Sequence, residues 1–210
     1  MDGFSRDICT FNRGSLRQVQ TRVKTADGRT FVESKDETGT ICVEASAPHD
    51  RSLGFVPDLT PDLQLGEVLP GLYVGSQDAA ADLPLLQSRG VTHVVNAAGA
   101  SVPEFHGSSL SYLSLPLLDL PECALSDAVI RAVGDFVEGA LSSGGAVLIH
   151  CNAGVSRSSA LAIAFLMTRR GAGYQEALSR VRSVRAAACP NEGFRRQLRD
   201  LERRLKPDQN

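Results

Sequence analysis

Apolar positions along this chain follow two periods, and from about residue 63 onward the two alternate. Leu72-Tyr73-Val74-Gly75, Val91-Thr92-His93-Val94-Val95-Asn96, Tyr112 to Leu118 and Ala146 to Ile149 are short apolar runs of strand length. Runs of this kind, rich in β-branched residues, predict buried strands. Between them the spacing lengthens. Asp78 to Ser88 predicts a helix with Ser76 as N-cap, and Val129, Ile130, Val133, Phe136, Val137, Ala140 and Leu141 recur at helical spacing behind the start signal Ser126-Asp127. Ser158 to Arg169 is apolar nearly all round, which predicts a buried central helix, and two further helices are expected over Tyr174 to Val184 and Glu192 to Leu205. The alternation predicts an α/β fold: a central, mostly parallel sheet with helices on both faces and a ligand site at the carboxyl end of the strand that leads to Cys151.

The first 62 residues have another texture. Ile8, Phe11, Leu16 and Val19 suggest a short amphipathic helix that Gly14 weakens, and Arg22 to Glu33 alternates around Asp27-Gly28, a hairpin signal. Scattered Pro, Gly, Asp and Ser make residues 34–62 a loop or linker. The expected organisation is an N-terminal extension and linker over 1–62, a catalytic domain over 63–206 and a short tail over 207–210.

Composition narrows the class. With 210 residues, 42% of them hydrophobic, the chain has material for one core plus an extension. A net charge of −2 gives no reason to expect nucleic acid or an anionic membrane as a partner. Cys9, Cys42, Cys123, Cys151 and Cys189 are odd in number and scattered, without the spacing of a zinc site, so no metal or other cofactor is expected and a reducing compartment fits best. The first residues lack the apolar core of a signal peptide, and no apolar run approaches a membrane span. A soluble, cytoplasmic protein, with the nucleus also open to it, is the expectation; the sequence says nothing about oligomeric state.

The chemistry gathers in His150-Cys151-Asn152-Ala153-Gly154-Val155-Ser156-Arg157-Ser158, between the last strand and the central helix. A strand-to-helix turn of this kind is an anion cradle: Gly154 lets the backbone bend toward a ligand and the N–H groups of the first helical turn point into the loop. Arg157 adds a fork of donors that matches two phosphate oxygens. The Gly-Lys-Ser/Thr ending of an ATP-binding loop is missing, and Cys151 stands at the entrance instead. A thiol among such donors loses its proton readily, so Cys151 reads as a thiolate nucleophile, and the same donors would hold the oxygens of a phosphoryl group during transfer. A lone buried Cys is ordinarily a core residue and a lone Arg a surface charge. Their pairing across one turn is what makes the pattern specific.

His-Cys-x2-Gly-x2-Arg-Ser resembles the signature of the protein tyrosine phosphatase superfamily, and Asn-Ala-Gly-Val-Ser-Arg-Ser resembles its dual-specificity branch. The resemblance covers about Leu63 to Leu205 and is closest to atypical members, which lack the rhodanese-like kinase-docking domain of the larger MAP kinase phosphatases; no clustered arginines near the N-terminus suggest the corresponding docking motif. Transfer to a thiolate requires a general acid on a facing loop. Asp119, after a predicted strand in Leu117-Leu118-Asp119-Leu120-Pro121-Glu122, fits that need, and the resemblance implies the same residue, since the family carries an Asp about thirty positions before its cysteine. Glu122 and Asp127 are the competing carboxylates and read as loop and helix-start charges. The resemblance further implies that His150 shapes the loop and lowers the thiol pKa, and that Ser158 donates to Cys151 during hydrolysis of the phosphocysteine. Val184 to Phe194 is similar to the family's Arg-Pro before Pro-Asn-x-Gly-Phe, with Ala186 in place of the proline and Ala188 in place of a larger apolar residue; Asn191 reads as a helix cap. His49, His93 and His106 show no partner and receive no chemistry.

Together these readings imply a protein phosphatase acting on phosphotyrosine and phosphoserine or phosphothreonine through a phosphocysteine. Phosphoproteins are the expected partners, with MAP kinase pathway kinases the family-level expectation. Two alternatives stay open: a catalytically weak phospho-binding scaffold, and a phosphoinositide or RNA 5′-phosphatase, which the neutral Asn152, Ala153, Val155 and Ser156 disfavour. Cys123, four residues after Asp119, reads as an ordinary loop or packing cysteine; protection of an oxidised Cys151, by Cys123 or by a backbone nitrogen, is the competing reading.

Overall fold

In the computed structural model, which describes residues 21–24, 30–35, 41–45 and 60–206, the apolar run ahead of Cys151 is the middle strand of a five-stranded sheet. The chain divides into two compact units, Met1–Leu59 and Thr60–Asn210. In the first, β1 (Thr21–Lys24) pairs antiparallel with β2 (Thr30–Lys35), as the Asp27-Gly28 signal predicts, although the turn itself is outside the described residues. A third strand, β3 (Ile41–Ala45), pairs antiparallel with β2 in a stretch the sequence presents as linker. Five residues carry too short an alternation to stand out; pairing with β2 makes the strand. The helix expected around residues 8–19 and the tail 207–210 lie outside the described residues.

The second unit follows with β4 (Gly66–Leu69), β5 (Leu72–Gly75), α1 (Gln77–Ala81), α2 (Leu83–Ser88), β6 (Val91–Asn96), β7 (Ser111–Ser114), α3 (Asp127–Ser142), β8 (Ala146–His150), α4 (Arg157–Arg170), α5 (Tyr174–Val184) and α6 (Glu192–Leu205). Its strand order is β4-β5-β8-β6-β7; the β5-β8, β8-β6 and β6-β7 pairs are parallel and the β4-β5 hairpin is antiparallel. Alternate residues feed two cores. Tyr73, Val94 and Leu148 pack with Ala80 and Leu86 on one face, while Val74, Val95, Val147 and Ile149 pack with α3 to α6 on the other. A strand buried on both faces reads as an unbroken apolar run, which is why β8 is legible in sequence. The residues of α4 from Ser158 to Met167 are buried, in keeping with a helix whose apolar character runs all round.

Three local expectations change. The single helix over 78–88 is two, because Asp82 leaves helical geometry to cap α2, accepting from the Leu85 N–H at 2.9 Å, and Pro84 takes a first-turn place. Ser76 does cap α1. The strand expected to reach Leu118 stops at Ser114; Pro116, which has no N–H for a ladder, makes only an isolated bridge with Ala98. β4, unread in the sequence, is the short edge strand of a hairpin turned by Pro70-Gly71. Among the described residues no helix is long and apolar enough to cross a membrane.

Candidate active site

β8 delivers Cys151 to the carboxyl end of the sheet, and six residues later α4 begins at Arg157. Between them every carbonyl is tied from outside. His150 Nδ1 meets the Cys151 carbonyl at 3.3 Å, Gln77 N–H donates to Asn152 at 2.8 Å, Arg185 donates to Ala153 at 2.7 Å and to Gly154 at 2.8 Å, and Cys189 N–H donates to Val155 at 2.8 Å. A trans peptide plane points its N–H opposite its C=O. Fixing five successive carbonyls outward therefore aims the next five amides the other way, and among the described residues none of the N–H groups of residues 152–156 has an acceptor. That is the anion cradle in bonds. Gly154, at φ +66°, is required twice over: an added Cβ would lie 2.5 Å from the Gly75 carbonyl and 2.6 Å from Arg185 Nη2.

Ser156 holds the N-cap position of α4 but caps nothing. Its hydroxyl donates to Asp119 Oδ1 at 2.6 Å and accepts from Asn191 N–H at 3.0 Å, leaving the first-turn amides of α4 to a ligand. Arg157 is held in one plane by two bonds, Nη1 to the Leu117 carbonyl at 3.3 Å and Nη2 to Asn152 Oδ1 at 2.6 Å. Its Nε is buried with no hydrogen-bond partner, since Asp119 Oδ2 stands off at 3.7 Å. A guanidinium with a fixed plane and a vacant N–H is prepared for an oxyanion. Cys151 is buried, and its Sγ lies 3.4 Å from the equally buried Ser158 Oγ.

Asp119 joins the cradle by its own loop. Besides Ser156, the Asn191 side chain donates to Oδ1 at 2.9 Å, while Asn191 Oδ1 caps α6 by accepting from Phe194 N–H at 2.9 Å. One amide thus starts a helix and holds a carboxylate. The rest of the loop is seated on the same helix: Leu125 N–H donates to Gln197 Oε1 at 2.7 Å, Gln197 Nε2 donates to the Cys123 carbonyl at 2.9 Å, and Gly193 packs so closely that an added Cβ would fall 1.9 Å from the Pro121 carbonyl. Of the competing carboxylates, Asp127 opens α3 and pairs with Arg204 at 2.8 Å, and Glu122 is exposed.

Burial lowers His150 to about 4 from its ordinary 6.5, with the Cys151 carbonyl working against the shift. The ring is therefore neutral at pH 7, which narrows its expected part to shaping the loop; it brings no charge to the thiol. A proton that binds the unfolded chain near 6.5 but the folded one only near 4 costs stability as pH falls through that interval. Urea unfolding should show a loss of about 3 kcal/mol from this residue between pH 7 and pH 4. His150→Gln should flatten that slope, and an unchanged slope in the variant would place the acid sensitivity elsewhere.

The structure brings together Cys151, Arg157, Ser158, His150, Asp119 and the loop residues 152–156. Sequence reading passed over Arg185, Gln77 and Gln197, and gave Asn191 only a capping role. Arg185 alone left a trace, as the arginine of the Val184 to Phe194 resemblance.

Residues 72–204 match the catalytic domain of the dual specificity phosphatases. The chain is 40% identical to mouse dual specificity protein phosphatase 19 over 96% of its own length and 91% of that protein's. A variant of human DUSP28 superposes with a TM-score of 0.65 at 35% identity, covering 69% of this chain and 97% of that one. A mouse putative dual specificity phosphatase, complexed with zinc tungstate, superposes with a TM-score of 0.65 at 33% identity, over 74% of this chain and 96% of the other.

Proposed function

The chain belongs to the dual specificity phosphatase family and is a dual-specificity protein phosphatase, and on that premise we propose that it works through a phosphocysteine formed on Cys151. The observation that carries this reading is the ring of outward-tied carbonyls around Cys151, which leaves the loop amides and Arg157 Nε for the three non-bridging oxygens of a phosphoryl group. The Cys151 thiolate attacks phosphorus, the bond to the substrate oxygen breaks, and that oxygen takes a proton from Asp119. Water then attacks the phosphocysteine, giving its proton to the Asp119 carboxylate. The S–P bond breaks, inorganic phosphate leaves, and Ser158 donates to the departing thiolate. Asp119 Oδ1 already accepts two bonds, so Oδ2 is the oxygen open to carry the proton. His150 and the backbone of residues 152–156 hold the shape.

Tungstate, a tetrahedral oxyanion like phosphate, is bound by a relative of similar fold, in keeping with this use of the cradle. The loop side chains other than Arg157 are uncharged, which favours a protein monophosphate over a phosphoinositide or an RNA 5′-phosphate. Phosphotyrosyl and phosphothreonyl or phosphoseryl proteins are the proposed substrates, with MAP kinase pathway components the first to assay.

Asp119→Asn tests the assignment. It should slow hydrolysis of phosphothreonyl peptide by about 10² to 10³, and of an activated aryl phosphate by less than about tenfold, because only the poor leaving group needs a full proton. Equal losses on the two would remove Asp119 from the acid role. The same peptides, a phosphoinositide and a 5′-phosphorylated RNA, assayed on the wild type, test the substrate class; preference for either of the last two would overturn it.

A further inference from the structure

Arg185 is the largest fully buried side chain of the catalytic unit, and the reaction itself does not use it. It stands where α5 ends, its N–H bonded to the Val181 carbonyl at 2.9 Å, and sends its guanidinium beneath the phosphate loop. Nε and Nη2 take the Gly154 and Ala153 carbonyls, Nη1 donates to the Gln64 carbonyl at 3.1 Å, and Nη2 also pairs with Asp62 Oδ2. A buried guanidinium needs a counter-charge, and Asp62 supplies it from the segment ahead of β4. That carboxylate is itself secured. Asp62 Oδ1 accepts from Gln64 N–H at 3.1 Å, Asp62 N–H donates to Asp78 Oδ2 at 3.1 Å, and the Ser76 hydroxyl donates to the Asp62 carbonyl at 2.6 Å. Burial raises the Asp62 carboxyl, but the bond from Arg185, the Gln64 amide and the Arg185 charge outweigh it and hold the group below its usual value.

The peptide planes that Arg185 holds are those whose amides belong to Gly154 and Val155, two of the five aimed into the cradle. Gly154 fits only because it lacks a Cβ, being wedged between Gly75 and Arg185. Asp62 lies ten positions before the segment that matches the family, residues 72–204.

We propose that Asp62 and Arg185 are a positioning pair for the phosphate loop: Arg185 turns the Ala153 and Gly154 carbonyls outward, and Asp62 fixes Arg185 in that place. The segment ahead of the family's catalytic core thus sets how well the loop binds a phosphoryl group. This rests on the phosphatase reading given above. An ion pair whose carboxylate side chain is 42% exposed would ordinarily contribute little to stability and nothing to turnover; here it governs two amides of the cradle.

The test uses the full chain with Asp62→Ala, Asp62→Asn and Arg185→Lys, each assayed on an aryl phosphate and a phosphothreonyl peptide, with tungstate binding followed by calorimetry. Asp62→Ala should lower kcat/KM about tenfold on both substrates alike and weaken tungstate by a similar factor. Asp62→Asn, which keeps an acceptor but loses the charge, should fall between it and wild type. Arg185→Lys, reaching only one carbonyl, should lose about a hundredfold. Folded Asp62→Ala and Asp62→Asn proteins with kcat/KM and tungstate affinity within twofold of wild type would overturn the proposal. So would a loss confined to the peptide, which would place the pair with the acid loop instead. A wild-type chain that bound tungstate without turnover would remove the enzymatic reading, and the tungstate comparison would then decide the pair by itself.

Discussion

Cys151→Ser protein should show no turnover above about 10⁻⁴ of wild type on any phosphomonoester while binding tungstate nearly as well. The two halves of that result come from separate parts of the site. In the proposed reading, binding falls to the amides of residues 152–156 and to Arg157; the carbonyls of the loop are tied by donors on Gln77, Arg185 and Cys189, none of which a change of sulfur to oxygen disturbs. Chemistry needs an anionic nucleophile, and a serine hydroxyl holds its proton far more tightly than a thiol does. Ser158, 3.4 Å from Sγ, can donate to a thiolate but offers no base that would activate an alcohol. Single-turnover assays beside calorimetry measure both halves. Activity within tenfold of wild type would sink the nucleophile assignment, and loss of tungstate binding would mean that sulfur, not backbone, holds the anion.

The second large effect is expected of Arg157→Lys. The guanidinium does two things at once: Nη1 and Nη2 are tied to the Leu117 carbonyl and Asn152 Oδ1, and that plane leaves Nε–H for a phosphate oxygen. An ammonium on a flexible stem can be tethered or can face the ligand, but cannot reproduce the fork. A fall of about 10² to 10³ in kcat/KM is therefore expected, with tungstate affinity falling alongside, although the formal charge is kept. Because Leu117 lies two residues before Asp119, the variant should also lose some of its discrimination between good and poor leaving groups. Retained turnover together with retained tungstate affinity would show that Arg157 is not the clamp.

Cys151, Arg157 and the cradle were legible in the chain because the device is local. A buried strand, a six-residue turn with a glycine at its bend and an apolar helix follow one another, and each leaves a periodic or chemical mark. The helices over Tyr174–Val184 and Glu192–Leu205 were legible for the same reason, their spacing being uninterrupted. Asp119 was half legible: an acid was needed and a carboxylate stood after a strand, but its placement depends on Asn191 and Ser156, 72 and 37 positions away.

What only the tertiary structure decided are the polar residues that make the cradle an exact shape. Arg185 reaches Gly154 and Ala153 across 31 and 32 positions, Asp62 reaches Arg185 across 123, and Gln197 holds the Asp119 loop across 72 and 74. A lone Arg, Asp or Gln in a helix end or a loop carries no period and is in most chains a solvated surface group, so nothing in its neighbours along the sequence distinguishes it. The sequence by itself determined which reactive side chains the turn carries, because chemical type belongs to the residue and the turn is short enough to read. Which way the loop carbonyls face depends on donors brought in by α1, by the end of α5 and by the stretch between α5 and α6, namely Gln77, Arg185 and Cys189, and those arrive only once the sheet and its two cores have formed.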